Sequence, residues 1–152
     1  MKVDEHPRTP GQRRQDVLDR LERESDVWVA SADAGGVPYL VALWFVWHEQ
    51  AAWLSTRATN PTGRNLRAGG RARLAFGDTH DVVLIDGEVT TYAAHEVPRA
   101  AAGAFAAKSG WDPREEGTAY AFFEVRPRMI QAWRGVHELP GRTLMREGTW
   151  VA

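Results

Sequence analysis

Residues 55–64 read Ser-Thr-Arg-Ala-Thr-Asn-Pro-Thr-Gly-Arg, a run of hydroxyls and guanidinium groups around a helix start. Asn60 followed by Pro61 is an N-cap signal, because the Asn side chain can accept a first-turn N–H. Proline at the next position has no N–H to leave unpaired. Ser55, Thr56, Arg57, Thr59, Thr62 and Arg64 are thereby gathered at a helix N-terminus. Backbone N–H groups, hydroxyls and arginines in one place are what a phosphate ester requires. The plainer account uses the same residues: Asn60 only caps, and the arginines only solvate the surface.

Other chemistries find less support. The five histidines, His6, His48, His80, His95 and His137, show no metal-ligand spacing. A nucleophile elbow of the type G-x-S-x-G is absent, and Gly69-Gly70 lacks the lysine and hydroxyl of a phosphate loop, so it reads as a helix stop. Arg64, Arg67, Arg71 and Arg73 could suggest RNA. A net charge of -1, from 19 basic and 20 acidic residues, gives no global positive field and argues against nucleic acid. Protection of a sheet edge is the simpler reading of Arg71 and Arg73.

The elements that must position the candidate residues follow from periodicity. Ala52 to Thr56 alternates as a strand, Pro61 to Ala68 is a short helix, and Arg71 to Phe76 is the next strand. Before them come an amphipathic helix over Gln12 to Glu24, a strand over Asp26 to Ala32, a turn at residues 33–36 and a long strand from Val37 to Trp47. Both faces of that long strand are apolar. One must meet a barrel interior, and the other a helix or a second subunit. After them come a strand from Asp81 to Ala93 with a bend at Asp86-Gly87, a helix from His95 to Lys108 and a surface loop from Ser109 to Gly117. A strand from Thr118 to Trp133 follows, with Pro127 confined to an edge or a bulge. The tail holds a one-turn helix and a short hairpin. Six or seven strands without β-α-β alternation predict an antiparallel barrel with peripheral helices.

The 152 residues predict one domain over 12–152, preceded by a flexible arm over 1–11. With 43% apolar residues the chain can bury a core, and without cysteine it has no thiolate chemistry. A charged amino terminus and no long apolar run predict a soluble cytoplasmic protein with no membrane partner. Seven tryptophans raise the question of which flat surface they cover.

The segment S-T-R-A-T-N-P-T-G-R-N-L-R-A, set between a W-F-V-W strand and an R-A-R-L-A-F strand, resembles the pyridoxamine 5'-phosphate oxidase-like split-barrel superfamily. That superfamily includes FMN enzymes and deazaflavin (F420)-dependent reductases. Ser55, Thr56, Arg64, Asn65 and Leu66 match its motif. D-V-V-L-I-D-G-E-V-T (81–90) is similar to a family strand, and P-R-M-I-Q-A-W-R-G (127–135) to the family's C-terminal segment. The resemblance implies a dimeric split barrel with F420 or FMN in a groove between two copies. Trp133 and Arg142 match positions that help hold the cofactor in the oxidase branch, and Trp44, Trp47 or Trp133 could wall its ring. Hydride transfer to a small organic acceptor is the implied activity. Non-catalytic storage or sensing of a flavin or tetrapyrrole is the alternative, and pyridoxamine phosphate oxidation a weaker third. Many relatives carry lysine where this chain has Thr62, which removes a point charge from the phosphate site.

Overall fold

The computed structural model describes residues 6–152, and the first part of the expected arm, residues 1–5, lies outside them. The strands are β1 (Asp26–Ala32), β2 (Pro38–His48), β3 (Ala51–Arg57), β4 (Arg71–Ala75), β5 (Val82–Ala93), β6 (Tyr120–Trp133), β7 (Thr143–Arg146) and β8 (Thr149–Trp150). The helices are α1 (Pro10–Arg23), α2 (Pro61–Gly69) and α3 (Arg99–Ser109). All pairings are antiparallel, in the order β3-β2-β1-β4-β5-β6-β7-β8, and a β3–β6 pairing closes the first six into a barrel. The mainly β fold is as expected. The strand count is eight because both strands of the tail hairpin extend the sheet at β6.

Alternation along the strands divides two apolar clusters. Val27, Val29, Phe45, Leu54, Leu74, Ile85, Phe123 and Ile130 fill the interior. Each such fully buried side chain stabilises the fold by about 1.5–3 kcal/mol. α1 adds Val17 and Leu21 to that cluster and α2 adds Leu66. Around the narrow apolar stripe of α1, Arg13 and Arg20 are also buried, because their guanidinium groups donate to the Glu138 carbonyl at 2.9 Å and the Asp81 carbonyl at 2.6 Å. The second cluster lies outside the barrel, where Ala101, Ala102 and Phe105 of α3 cover Val46, Trp53 and Phe122. The outward face of β2 thus meets a helix over part of its length. Beyond α3 that face stays open: Leu40 and Trp44 are exposed, as is Trp28 on neighbouring β1.

Three local readings are refined. α3 begins at Arg99 rather than His95, because Pro98 disfavours helical backbone at the residue before it. Pro127 lies opposite Gly87 beside the bulge at Asp86/Gly87, so β6 accommodates it with β5 paired alongside. A Cβ on Gly87 would stand 2.6 Å from Val125 Cγ1, which makes glycine a packing requirement there. The edge-protection reading of Arg71 and Arg73 is overturned. β4 is paired on both sides, and the Arg73 guanidinium forms a two-pronged ion pair with its cross-strand neighbour Asp86, at 2.5 and 3.0 Å.

Candidate functional site

β3 ends where α2 begins, and Asn60 joins them. Its Oδ1 accepts the Gly63 N–H at 2.8 Å, while its Nδ2 donates to Thr56 Oγ1 at 2.8 Å. Asn60 therefore caps the helix and locks the last inward hydroxyl of the strand. Gly63 is required by the same closeness: a Cβ there would collide with the Arg57 carbonyl oxygen and lie 3.0 Å from that of Ala58. The turn stops at Gly70, left-handed at φ 65°.

The cap engages much of the helix mouth itself. Gly63 N–H goes to Asn60, Arg64 N–H goes to the Asn60 carbonyl at 3.0 Å, and Pro61 has none. Thr62 is 2% exposed, so the residue standing where many relatives carry lysine is turned into the protein. Ser55 is also buried and donates to the Ala121 carbonyl at 2.9 Å. The expected row of free amides and hydroxyls is thus reduced, and positive charge at the mouth comes from side chains. Arg57 is exposed and lies 5.2 Å from the centre of the Tyr120 ring. Arg64 is exposed as well, and among the described residues neither arginine has a carboxylate within ion-pair distance. Thr59 is exposed, and Asn65 donates to Ser31 Oγ at 3.2 Å.

Two shallow clefts flank this corner. One, of about 280 Å³, is lined by Ser55, Thr56, Trp44, Trp111, Tyr120 and Asp26, among others. The other, of about 490 Å³, includes Arg64, Asn65 and Tyr39. Trp44 is 49% exposed and projects from β2 beside the strand that carries Ser55. Trp47, the alternative ring wall, turns into the interior cluster. Trp111 is a lining residue that periodicity could not find, because it sits in a non-periodic connection.

Trp133 and Arg142 are elsewhere. Trp133 ends β6 and lines a cavity of about 500 Å³ with His80, Arg134, His137 and Leu139. Arg142 lies next to it in the fold, its carbonyl accepting the Ala132 N–H at 2.9 Å while its guanidinium donates to the Leu139 carbonyl at 3.0 Å. β6 pairs Ala121 with Thr56 at one end and carries Trp133 at the other. At a rise of about 3.3 Å per residue, roughly 40 Å of strand separates the two groups. Within one chain they share no cleft among those described.

Glu138 also lines the Trp133 cavity and is 1% exposed. Burial alone would raise its pKa, but donation from the Arg8 side chain and from the Arg8 and Arg134 backbone N–H groups outweighs it and holds the carboxyl at about 2. Glu138 is therefore a fixed structural anion rather than a proton donor. Among the described residues no cluster of three or more His, Asp or Glu could hold a metal, and no helix is long and apolar enough to cross a membrane.

The family whose sequence profile is described as Pyridoxamine 5'-phosphate oxidase matches residues 14–134. No curated protein sequence matches the chain. Among solved structures, a conserved hypothetical protein of Mycobacterium tuberculosis superposes with a TM-score of 0.65 at 17% identity, covering 84% of this chain and 86% of that one. A protein described as an F420 reductase gives 0.61 at 18% identity, over 74% and 93%. HutZ, the heme storage protein of Vibrio cholerae, gives 0.66 at 12% identity, over 88% and 96%. At these identities the likeness is one of fold. The closed antiparallel barrel and a profile match spanning most of its strands together show that the chain belongs to the pyridoxamine 5'-phosphate oxidase-like split-barrel family.

Proposed function

We propose that this protein is a homodimeric oxidoreductase that binds F420 or FMN and transfers hydride between that coenzyme and a small organic acceptor. The observation that carries the reading is the corner where β3 meets α2. Arg57 and Arg64, both exposed and without a carboxylate partner among the described residues, stand at a capped helix start, Arg57 next to the Tyr120 ring of the aromatic cleft and Arg64 in the wall of the neighbouring one. A dianionic phosphate is the natural counter-charge for such a pair. The cleft next to it is walled by the flat rings of Trp44, Trp111 and Tyr120, against which a tricyclic ring could stack, so the residues present fit the group.

An exposed apolar face supports the two-copy part of the reading. Trp28, Leu40 and Trp44 leave a contiguous part of the β1–β2 outer face exposed, and large apolar patches of this kind mark interfaces. An isologous contact would also let one copy's Trp133–Arg142 end approach its partner's Ser55–Arg64 corner, which a single chain keeps apart along β6.

A bound reduced coenzyme supplies the hydride. The chain's own residues then bind, orient and exclude water. Arg57 and Arg64 would hold the phosphate by charge-assisted hydrogen bonds, with Asn60 keeping the corner rigid. Trp44 would cover one side of the ring. Redox chemistry of this type asks for no acid–base pair from the protein. A second reading, non-catalytic storage of a flavin or tetrapyrrole, is favoured by the inward-turned Thr62, which leaves the phosphate site one ammonium short.

Parallel titration of the purified protein with FMN and F420, followed by tryptophan fluorescence, tests the binding. Reoxidation of the reduced coenzyme by candidate acceptors tests turnover. Saturable quenching with turnover supports the oxidoreductase, and quenching without turnover favours storage. Flat titrations with both coenzymes overturn the reading.

A further inference from the structure

The connection between α3 and β6 was expected as a surface loop, yet it builds one wall of the Trp44–Ser55 cleft. Two glycines in the left-handed half of backbone space, Gly110 at φ 76° and Gly117 at φ 66°, turn the chain at either end. Between them, Asp112 accepts the Arg114 N–H at 3.0 Å and clamps the Arg114 guanidinium at 2.8 Å, which fixes a one-turn 3-10 helix over Pro113–Glu116. Ser109 Oγ donates to the Phe105 carbonyl at 2.8 Å and accepts the Trp111 N–H at 3.2 Å, pinning the backbone of Trp111 to the end of α3.

The indole is held by three rings. Tyr120 lies at 4.8 Å and 78°, Trp44 at 6.3 Å and 66°, and Phe105 at 6.3 Å and 67°. Edge-to-face sets of this kind fix orientation as well as area. The result is a rigid wall facing Ser55 and Thr56 across a cleft of about 280 Å³, small for a ligand cavity. Its one charged lining residue is Asp26, so the cleft offers no cation to a phosphate, and its aromatic walls are what it offers a planar ring.

We propose that Trp111 is a specificity-determining residue: it sets the width of this cleft and stacks on the planar part of the ligand. The inference rests on the ring-binding reading given above. It assigns ring recognition to the α3–β6 connection and leaves phosphate recognition to Arg57 and Arg64.

The test compares wild type, Trp111→Phe, Trp111→Ala and Arg64→Ala, with FMN, F420 and the phosphate-free riboside of each as probes. Trp111→Ala weakens riboside and parent coenzyme by the same factor, about tenfold for the loss of one stacking partner. Arg64→Ala weakens the parent coenzyme and leaves the riboside unchanged. Trp111→Phe keeps the packing and the melting temperature but raises the emission of the bound ring, because phenylalanine does not quench it as indole does. Unchanged affinity and unchanged emission in both Trp111 variants, with wild type still binding, overturn this inference and leave the cofactor reading standing. Absence of binding by wild type to every probe overturns the cofactor reading and this inference with it.

Discussion

The guanidinium of Arg8 meets the carboxylate of Glu138 at 2.7 Å across 130 positions of sequence, tying the segment before α1 to the turn after β6. The same guanidinium reaches Asp16 of α1 at 2.9 Å. The Glu138 carboxyl, held at about 2, lies below its ordinary 4.5. Its contribution is therefore complete above pH 4.5 and is lost as pH falls through 2, an effect of about 3 kcal/mol. Glu138→Gln flattens this acid limb, and Arg8→Ala costs on the order of 3 kcal/mol at neutral pH by leaving a buried anion unpaired. Urea unfolding as a function of pH reads both. An acid limb as steep in Glu138→Gln as in wild type would remove Glu138 as its source.

Gly63→Ala places a methyl group against the Arg57 and Ala58 carbonyl oxygens, which are backbone and cannot swing aside. The expected cost is about 1–3 kcal/mol in stability, with the β3–α2 corner displaced. Chemical denaturation measures the first. Coenzyme titration measures the second, because the shift moves Arg64 relative to Arg57.

Arg64→Ala weakens coenzyme binding by about 1.5–3 kcal/mol if its guanidinium makes a charge-assisted bond to the phosphate. Fluorescence titration gives the ratio directly. An unchanged dissociation constant removes Arg64 from the site.

Leu40→Glu puts a carboxylate at one end of the open apolar face formed with Trp28 and Trp44. The side chain is exposed in the single chain, so its fold and melting temperature as a monomer are little affected. The expected outcome of sedimentation at micromolar concentration is a wild-type dimer and a variant shifted toward monomer. A wild-type monomer at that concentration would dismantle the shared-groove arrangement.

Lys108 buries its ammonium 4.1 Å above the Phe45 ring with no hydrogen-bond partner among the described residues, and burial lowers its pKa. A depressed amine pKa means the unfolded chain holds the proton more tightly, so stability rises with pH as Lys108 approaches its ordinary 10.5. Lys108→Met keeps the stem and removes the unpaired charge. It raises the melting temperature at neutral pH and abolishes that alkaline gain, as calorimetry at pH 7 and 10 would record.

What the sequence determined by itself is local. Asn60-Pro61 announces a helix start because capping involves only neighbouring residues, and Asp86-Gly87 announces a bulge because a glycine inside a strand pattern marks a break in regular pairing. The two apolar faces of β2 follow from strict alternation, which survives whatever the strand packs against. Those signals, with the S-T…R-N-L pattern, made the barrel and its β3–α2 corner legible. Tertiary structure alone decided what depends on distant neighbours. β4 reads as an edge strand from its arginines, yet it is interior, because β1 and β5 pair with it from far along the chain. Thr62 looks available in sequence and is buried by the packing of α2. Trp111, in a stretch with no period, becomes a cleft wall because α3 folds back across β2 and carries it to Trp44. Side-chain direction and strand order are set by long-range pairing and burial, and these have no signature in any short window of residues.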